Sequence, residues 1–87
     1  MSAALKLLLI DDNDDDRAHF KDCLKLSGVN AEVMEAEDGK EGVALYKSQP
    51  ADCVLLDYQM PGRNGVQILS DLKRMDRHVP VVMLTGQ

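Results

Sequence analysis

The 87 residues are 45% hydrophobic and only 3% aromatic, so the largest unit they can build is one small domain with a core of Leu, Val, Ile, Met and Ala. A formal net charge of -5 without clustered Lys and Arg excludes a nucleic-acid-binding surface on this segment, since phosphate contacts need such clusters. No apolar run is long enough to span a bilayer, and Met1 to Lys6 lacks the regions of a signal peptide, which predicts a cytoplasmic protein.

Leu7 to Ile10 is a short unbroken apolar run ending in Asp11 and Asp12, the pattern of a strand buried on both faces whose carboxyl end reaches a surface. A helix is expected next, with Phe20, Cys23, Leu24 and Ser27 at helical spacing, Asp14 to Asp16 at its front and Gly28 past its end. The mixed segment Ala31 to Ala36 suits a strand at a sheet edge. Asp38 followed by Glu41 has the spacing of a capping box and opens a second helix that Gln49 and Pro50 close.

Cys53 to Leu56 is a second unbroken apolar run, and it too ends in an acid, Asp57, before the turn-forming stretch Pro61 to Gly65. A third helix is expected to bury Val66, Leu69, Leu72 and Met75 on one face. Val79 to Leu84 makes a fourth strand, and its apolar run predicts burial on both faces. Nothing follows that could cover or pair it, so the chain is expected to be incomplete and to self-associate.

Alternating strands and helices imply right-handed crossovers, a parallel sheet and function at the carboxyl ends of the strands. If the first and third strands are neighbours, Asp11, Asp12 and Asp57 converge there. Mutual repulsion then raises at least one pKa unless a cation joins them, and magnesium, which takes one or two carboxylates plus waters and a phosphate oxygen, suits the cluster.

Other groups carry less. Asp14, Asp15 and Asp16 read as a solvated turn capping a helix. Cys23 and Cys53, in apolar stretches and without a second pair, read as buried thiols of a reducing compartment. His19 and His78 have no partner spacing and are expected to face solvent. Met34, Met60, Met75 and Met83 are expected to fill the core.

Ile10-Asp11-Asp12-Asn13, Leu55-Leu56-Asp57-Tyr58-Gln59-Met60-Pro61-Gly62 and Val82-Met83-Leu84-Thr85-Gly86 together resemble the receiver domains of two-component response regulators, in order and spacing across the whole chain. The resemblance implies an α/β, flavodoxin-like, doubly wound parallel sheet, here truncated after the fourth strand with order 2-1-3-4, so that residues 1-87 form a single, C-terminally incomplete receiver domain. It makes Asp57 the acceptor of a phosphoryl group from the phosphohistidine of a sensor histidine kinase or phosphotransfer protein. Asp12 and Asp57 would ligate Mg2+ directly, Asp11 would hold a metal-bound water, and the Gln59 carbonyl would complete the protein's share of the metal sphere. The Thr85 hydroxyl and the Gly86 N-H would face phosphoryl oxygens.

By the same resemblance the chain is a self-phosphorylating and self-dephosphorylating module and not a turnover enzyme. The lysine and the aromatic switch residue of a complete receiver's fifth strand have no counterpart here, and Lys6, Lys47 and Lys73 stand in elements that cannot replace the lysine. Magnesium binding is therefore expected to survive better than phosphorylation-driven switching. Two rivals remain: a pseudo-receiver that signals without phosphate, and an Mg2+-dependent aspartyl-phosphate hydrolase, disfavoured because position 59 is Gln where that class needs an acid.

Overall fold

In the computed structural model, residues 4–57 and 65–84 are described. The elements run β1 (Leu5–Ile10), α1 (Asp14–Ser27), β2 (Ala31–Ala36), α2 (Gly39–Ser48), β3 (Cys53–Asp57), α3 (Gly65–Met75) and β4 (Val81–Leu84). The four strands form one sheet in the order β2-β1-β3-β4, every neighbouring pair parallel. This is the flavodoxin-like order that the motifs imply.

Strand alternation explains the two unbroken apolar runs. Leu8 and Ile10 of β1 and Val54 and Leu56 of β3 point to one face and pack with Tyr46, Ile68 and Leu72 of α2 and α3. Leu7, Leu9 and Leu55 point to the other, against Phe20 and Leu24 of α1. Over these two apolar runs both faces are covered, so no position within them can be polar. Leu8, Ile10, Val54, Leu56, Ile68 and Leu72 are wholly buried, and truncating one of the larger side chains to Ala costs about 2–5 kcal/mol.

Both helix caps expected at α1 and α2 are present, with differences in detail. The N-cap of α1 is Asn13, whose side chain accepts from the Asp16 N-H, while the three aspartates fill the first turn. Gly28 ends α1 at φ 79, a left-handed conformation that favours glycine, and its N-H donates to the Lys25 carbonyl. At α2, Asp38 accepts from the Glu41 N-H at 2.8 Å, but the Glu41 carboxylate reaches back to the N-H of Glu37, one residue before the cap. Close approach of α2 to the core depends on glycine: a Cβ on Gly39 would stand 2.5 Å from the Ile68 side chain.

Three expectations are corrected. The buried stripe of α3 is Ile68 and Leu72 with Leu69 partly covered, whereas Val66 and Met75 are exposed. The 3.6-residue period places Ile68 and Leu72, four apart, on the centre of the face, and Val66 falls to its edge. β4 is not buried on both faces: Val82 is 46% exposed, because α2 and α3 lie on the opposite side and α1 reaches only as far as Leu84 among the described residues. Cys23 is exposed and Cys53 half-buried, since the α1 face that meets the sheet runs through Phe20 and Leu24.

Candidate functional site

The register of the central strands builds the site. Leu9 pairs with Leu55 and Ile10 with Leu56, so the residues that follow, Asp11 and Asp57, emerge side by side at the carboxyl edge of the sheet. One ligand oxygen from each of Asp11, Asp12 and Asp57 lies within 4.8 Å of the other two, and among the described residues these three make the one group of three or more potential metal-ligating side chains. The sequence expectation that these acids converge is met.

Their environments differ. Asp11 is buried, Asp57 half-buried and Asp12 exposed. Burial pushes the Asp11 carboxyl above the usual carboxylate range. The Asn13 N-H, donating to Asp11 Oδ1 at 2.9 Å, opposes this, while the charges of Asp57, Asp16 and Asp12 add to the rise. Negative charge is thus concentrated at this end of the sheet.

The donor set suits a hard divalent ion: three carboxylates, no sulfur or imidazole, with one oxygen of each within 4.8 Å of the others. Asp11 and Asp57 also open on a cavity of about 290 Å³ whose far wall is Leu9, Phe20 and Leu84. Gln59, Thr85 and Gly86, and with them Met60, lie outside the described residues.

Sequence reasoning missed Arg17. It is the buried cation of α1, only 8% exposed, with Nη1 donating to the Asp11 carbonyl oxygen at 2.6 Å and Nε to Glu35 at 3.1 Å. Its Nη2 pairs with Asp14, and Lys21 completes the cluster by donating to Glu35 at 2.7 Å. The end of β1, the start of α1 and the end of β2 are thereby joined beside the acids. A signal was present: Arg17 sits three residues after Asp14, on the inward face of a helix that otherwise begins in acids.

His19 was expected to face solvent, with no partner spacing for a metal or a catalytic dyad. It is exposed, but its Nε2 lies 3.7 Å from Cys23 Sγ one turn later. Asp14, Asp15 and Asp16 are exposed, as expected of a helix front.

Residues 7–87 match the family model described as response regulator receiver domain. The chain is 38% identical over 82 residues to the transcriptional regulatory protein CpxR of Klebsiella pneumoniae, covering 94% of this chain and 34% of that protein. It is 32% identical over 85 residues to the chemotaxis protein CheY-3 of Vibrio cholerae, covering 95% and 65% respectively. Among solved structures, CheY4 of Vibrio cholerae superimposes with a TM-score of 0.87 at 28% identity, over 98% of this chain and 71% of that one. The CheX-CheY-BeF3-Mg complex from Borrelia burgdorferi gives a TM-score of 0.83 at 28% identity, over 95% and 63%.

The chain belongs to the response regulator receiver family. It spans about a third of CpxR and just under two thirds of CheY-3. Among the described residues, no helix is long and apolar enough to cross a membrane.

Proposed function

We propose that the chain is the phosphoacceptor module of a two-component phosphorelay, with residues 1–87 acting as one receiver unit in the cytoplasm. Asp57 takes a phosphoryl group from the phosphohistidine of a sensor histidine kinase or phosphotransfer protein. Asp12 and Asp57 would hold Mg2+ directly and Asp11 through a water. The observation that carries this reading is the convergence of the three carboxylates at the ends of two adjacent parallel strands.

Bound Mg2+ would supply neutralisation of charge on the equatorial phosphoryl oxygens and on the carboxylates. The chain itself supplies the nucleophile and its placement. A carboxylate oxygen of Asp57 attacks phosphorus in line, the P-N bond of the donor breaks, and the departing imidazole keeps the electron pair and takes up a proton. Half-burial leaves Asp57 accessible to a macromolecular donor. Asp11, held by the Asn13 N-H below and by Arg17 through its own carbonyl, is fixed in place before any ligand arrives.

By the resemblance, the Gln59 carbonyl would complete the protein's share of the metal ligands, and the Thr85 hydroxyl and Gly86 N-H would serve phosphoryl oxygens. Water then hydrolyses the acyl phosphate, returning the carboxylate and inorganic phosphate, so the module resets itself and is a modified signalling unit, not a turnover enzyme. The Borrelia CheY complex contains beryllium fluoride, which mimics a phosphoryl group, together with magnesium; that pairing in a relative of the same fold supports the reading here. The position of β4 at the edge of the described sheet supports self-association of this chain through the backbone groups of that edge.

The test is a magnesium titration followed by chemical shifts, repeated with beryllium fluoride and with Asp57→Asn. Saturable shifts at Asp11, Asp12 and Asp57 that vanish in Asp57→Asn, with further shifts on adding the fluoride, are expected. Metal-independent shifts, or unchanged binding in Asp57→Asn, would overturn the assignment.

A further inference from the structure

We propose that Glu35, on the edge strand β2, is a positioning residue for magnesium binding: it acts through the Arg17 guanidinium on the backbone of Asp11, and Lys21 holds it in place. This role rests on the reading of Asp11, Asp12 and Asp57 as the metal site.

The connection is a chain of hydrogen bonds. Lys21 Nζ donates to Glu35 Oε2 at 2.7 Å, Arg17 Nε donates to Glu35 Oε1 at 3.1 Å, and Arg17 Nη1 donates to the Asp11 carbonyl oxygen at 2.6 Å. Each oxygen of Glu35 is thus engaged by a different cation. The guanidinium is a rigid planar fork, so a bond at Nε also fixes the direction in which Nη1 points.

Burial makes Glu35 the controlling partner. Three carboxylates face Arg17, and the Glu35 side chain is 33% exposed where those of Asp14 and Glu37 are 80% and 72% exposed. The two outer acids stand in water and draw the guanidinium outward through Nη2. Glu35 opposes them from a strand whose neighbouring residue, Ala36, accepts from the Asp11 N-H at 3.0 Å. Without Glu35 the fork turns towards the outer acids and Nη1 leaves the Asp11 carbonyl.

That carbonyl belongs to the peptide plane joining Asp11 to Asp12. A tilt of the plane therefore moves two of the three converging carboxylates, and metal affinity falls although no ligand has been removed.

Positioning and a through-space effect of charge predict different results. Glu35→Asp keeps the charge and shortens the reach by one methylene, so only positioning predicts weaker binding. Lys21→Met removes a positive charge, which by itself would tighten binding of a dication; positioning predicts the reverse, because Glu35 loses its second tether.

The test is a set of Mg2+ titrations read from the Asp11 and Asp12 amide shifts, on variants that circular dichroism shows to be folded, so that stability does not enter the Kd. Glu35→Asp is expected to raise the Kd by about threefold to tenfold, and Lys21→Met to raise it as well. In an Arg17→Ala background the Glu35→Asp change should alter the Kd by less than about twofold, since the connection is already cut. By linkage, Mg2+ added to the native chain should shift the Arg17 Nε-H resonance. An unchanged Kd in Glu35→Asp, tighter binding in Lys21→Met, or an undiminished effect of Glu35→Asp in the Arg17→Ala background would each overturn the positioning role while leaving the metal site standing. A native chain that binds no Mg2+, or an Asp57→Asn chain that binds it equally well, would overturn the site and this role with it.

Discussion

Arg17 Nη1 donates to the backbone carbonyl of Asp11 at 2.6 Å, so a buried guanidinium from the first helix holds the main chain of an acid whose side chain faces the candidate metal site. The same guanidinium reaches Glu35 on β2 through Nε, and that second bond ties the edge strand to the site. Arg17→Ala should therefore act in two ways. It strands the Asp11 carbonyl and leaves Glu35 with Lys21 alone, with a loss of about 1–3 kcal/mol, which in a chain of this size lowers Tm by several degrees. It should also weaken magnesium binding, because Asp11 loses its anchor. Arg17→Lys keeps the charge without the forked donor set and should recover only part of both losses. Thermal melts and metal titrations on the three proteins check this.

A second expectation concerns pH. Hydrogen bonds from Lys21 and Arg17 hold the Glu35 carboxyl below the usual carboxylate range despite opposing desolvation, Lys21 having the largest effect. Its folded pKa is depressed, so the stability it contributes is present above the unfolded value and is lost as pH falls through the lowered folded value. Glu35→Gln should remove that part of the acid sensitivity, and a comparison of stability against pH for the two proteins from neutrality downward measures it.

Repulsion among the acids makes a prediction of the opposite sign. The Asp57 charge helps raise the Asp11 carboxyl, so Asp57→Asn should stabilise the metal-free chain, by about 1 kcal/mol for a pair about 4 Å apart screened as in bulk water and by more where screening is weaker. The same variant should lose the stabilisation that magnesium gives the native chain. Melts of both proteins with and without Mg2+ give four numbers whose pattern decides the matter: an Asp57→Asn melt lower than native in metal-free buffer would contradict the repulsion argument.

Packing predicts a gradient along α3. Ile68→Ala and Leu72→Ala each leave a cavity in the core under α2 and should cost about 2–5 kcal/mol, whereas Val66→Ala, at an exposed position, should cost under about 0.5 kcal/mol. Chemical denaturation ranks the three.

How far the sequence was readable follows from what each feature depends on. The strand order was legible through the resemblance to receiver domains, and the meeting of Asp11, Asp12 and Asp57 followed once the two apolar runs that end in acid were taken as neighbouring strands. The buried face of α3 was misjudged, since stepping by threes from Val66 drifts off a stripe whose centre is set by the four-residue step from Ile68 to Leu72. The spacing of Arg17 from Asp14 marked only the local pair; its bonds to the Asp11 carbonyl and to Glu35 on another strand stayed hidden, because no local pattern marks a long-range bond. The nearness of Cys23 to His19 was missed, because the thiol's apolar neighbours suggested a core position that the helix rotation does not allow.

The central claim is that Asp57 accepts a phosphoryl group with the help of magnesium. It is tested most directly by incubating the chain with a phosphohistidine-bearing phosphotransfer protein, with and without Mg2+, and locating the phosphoryl group by peptide mass after trapping the acyl phosphate. The account predicts one modification, at Asp57, that requires Mg2+, reverses on standing in water and is absent in Asp57→Asn. Modification at another residue, or transfer to Asp57 that proceeds equally without metal, would contradict it.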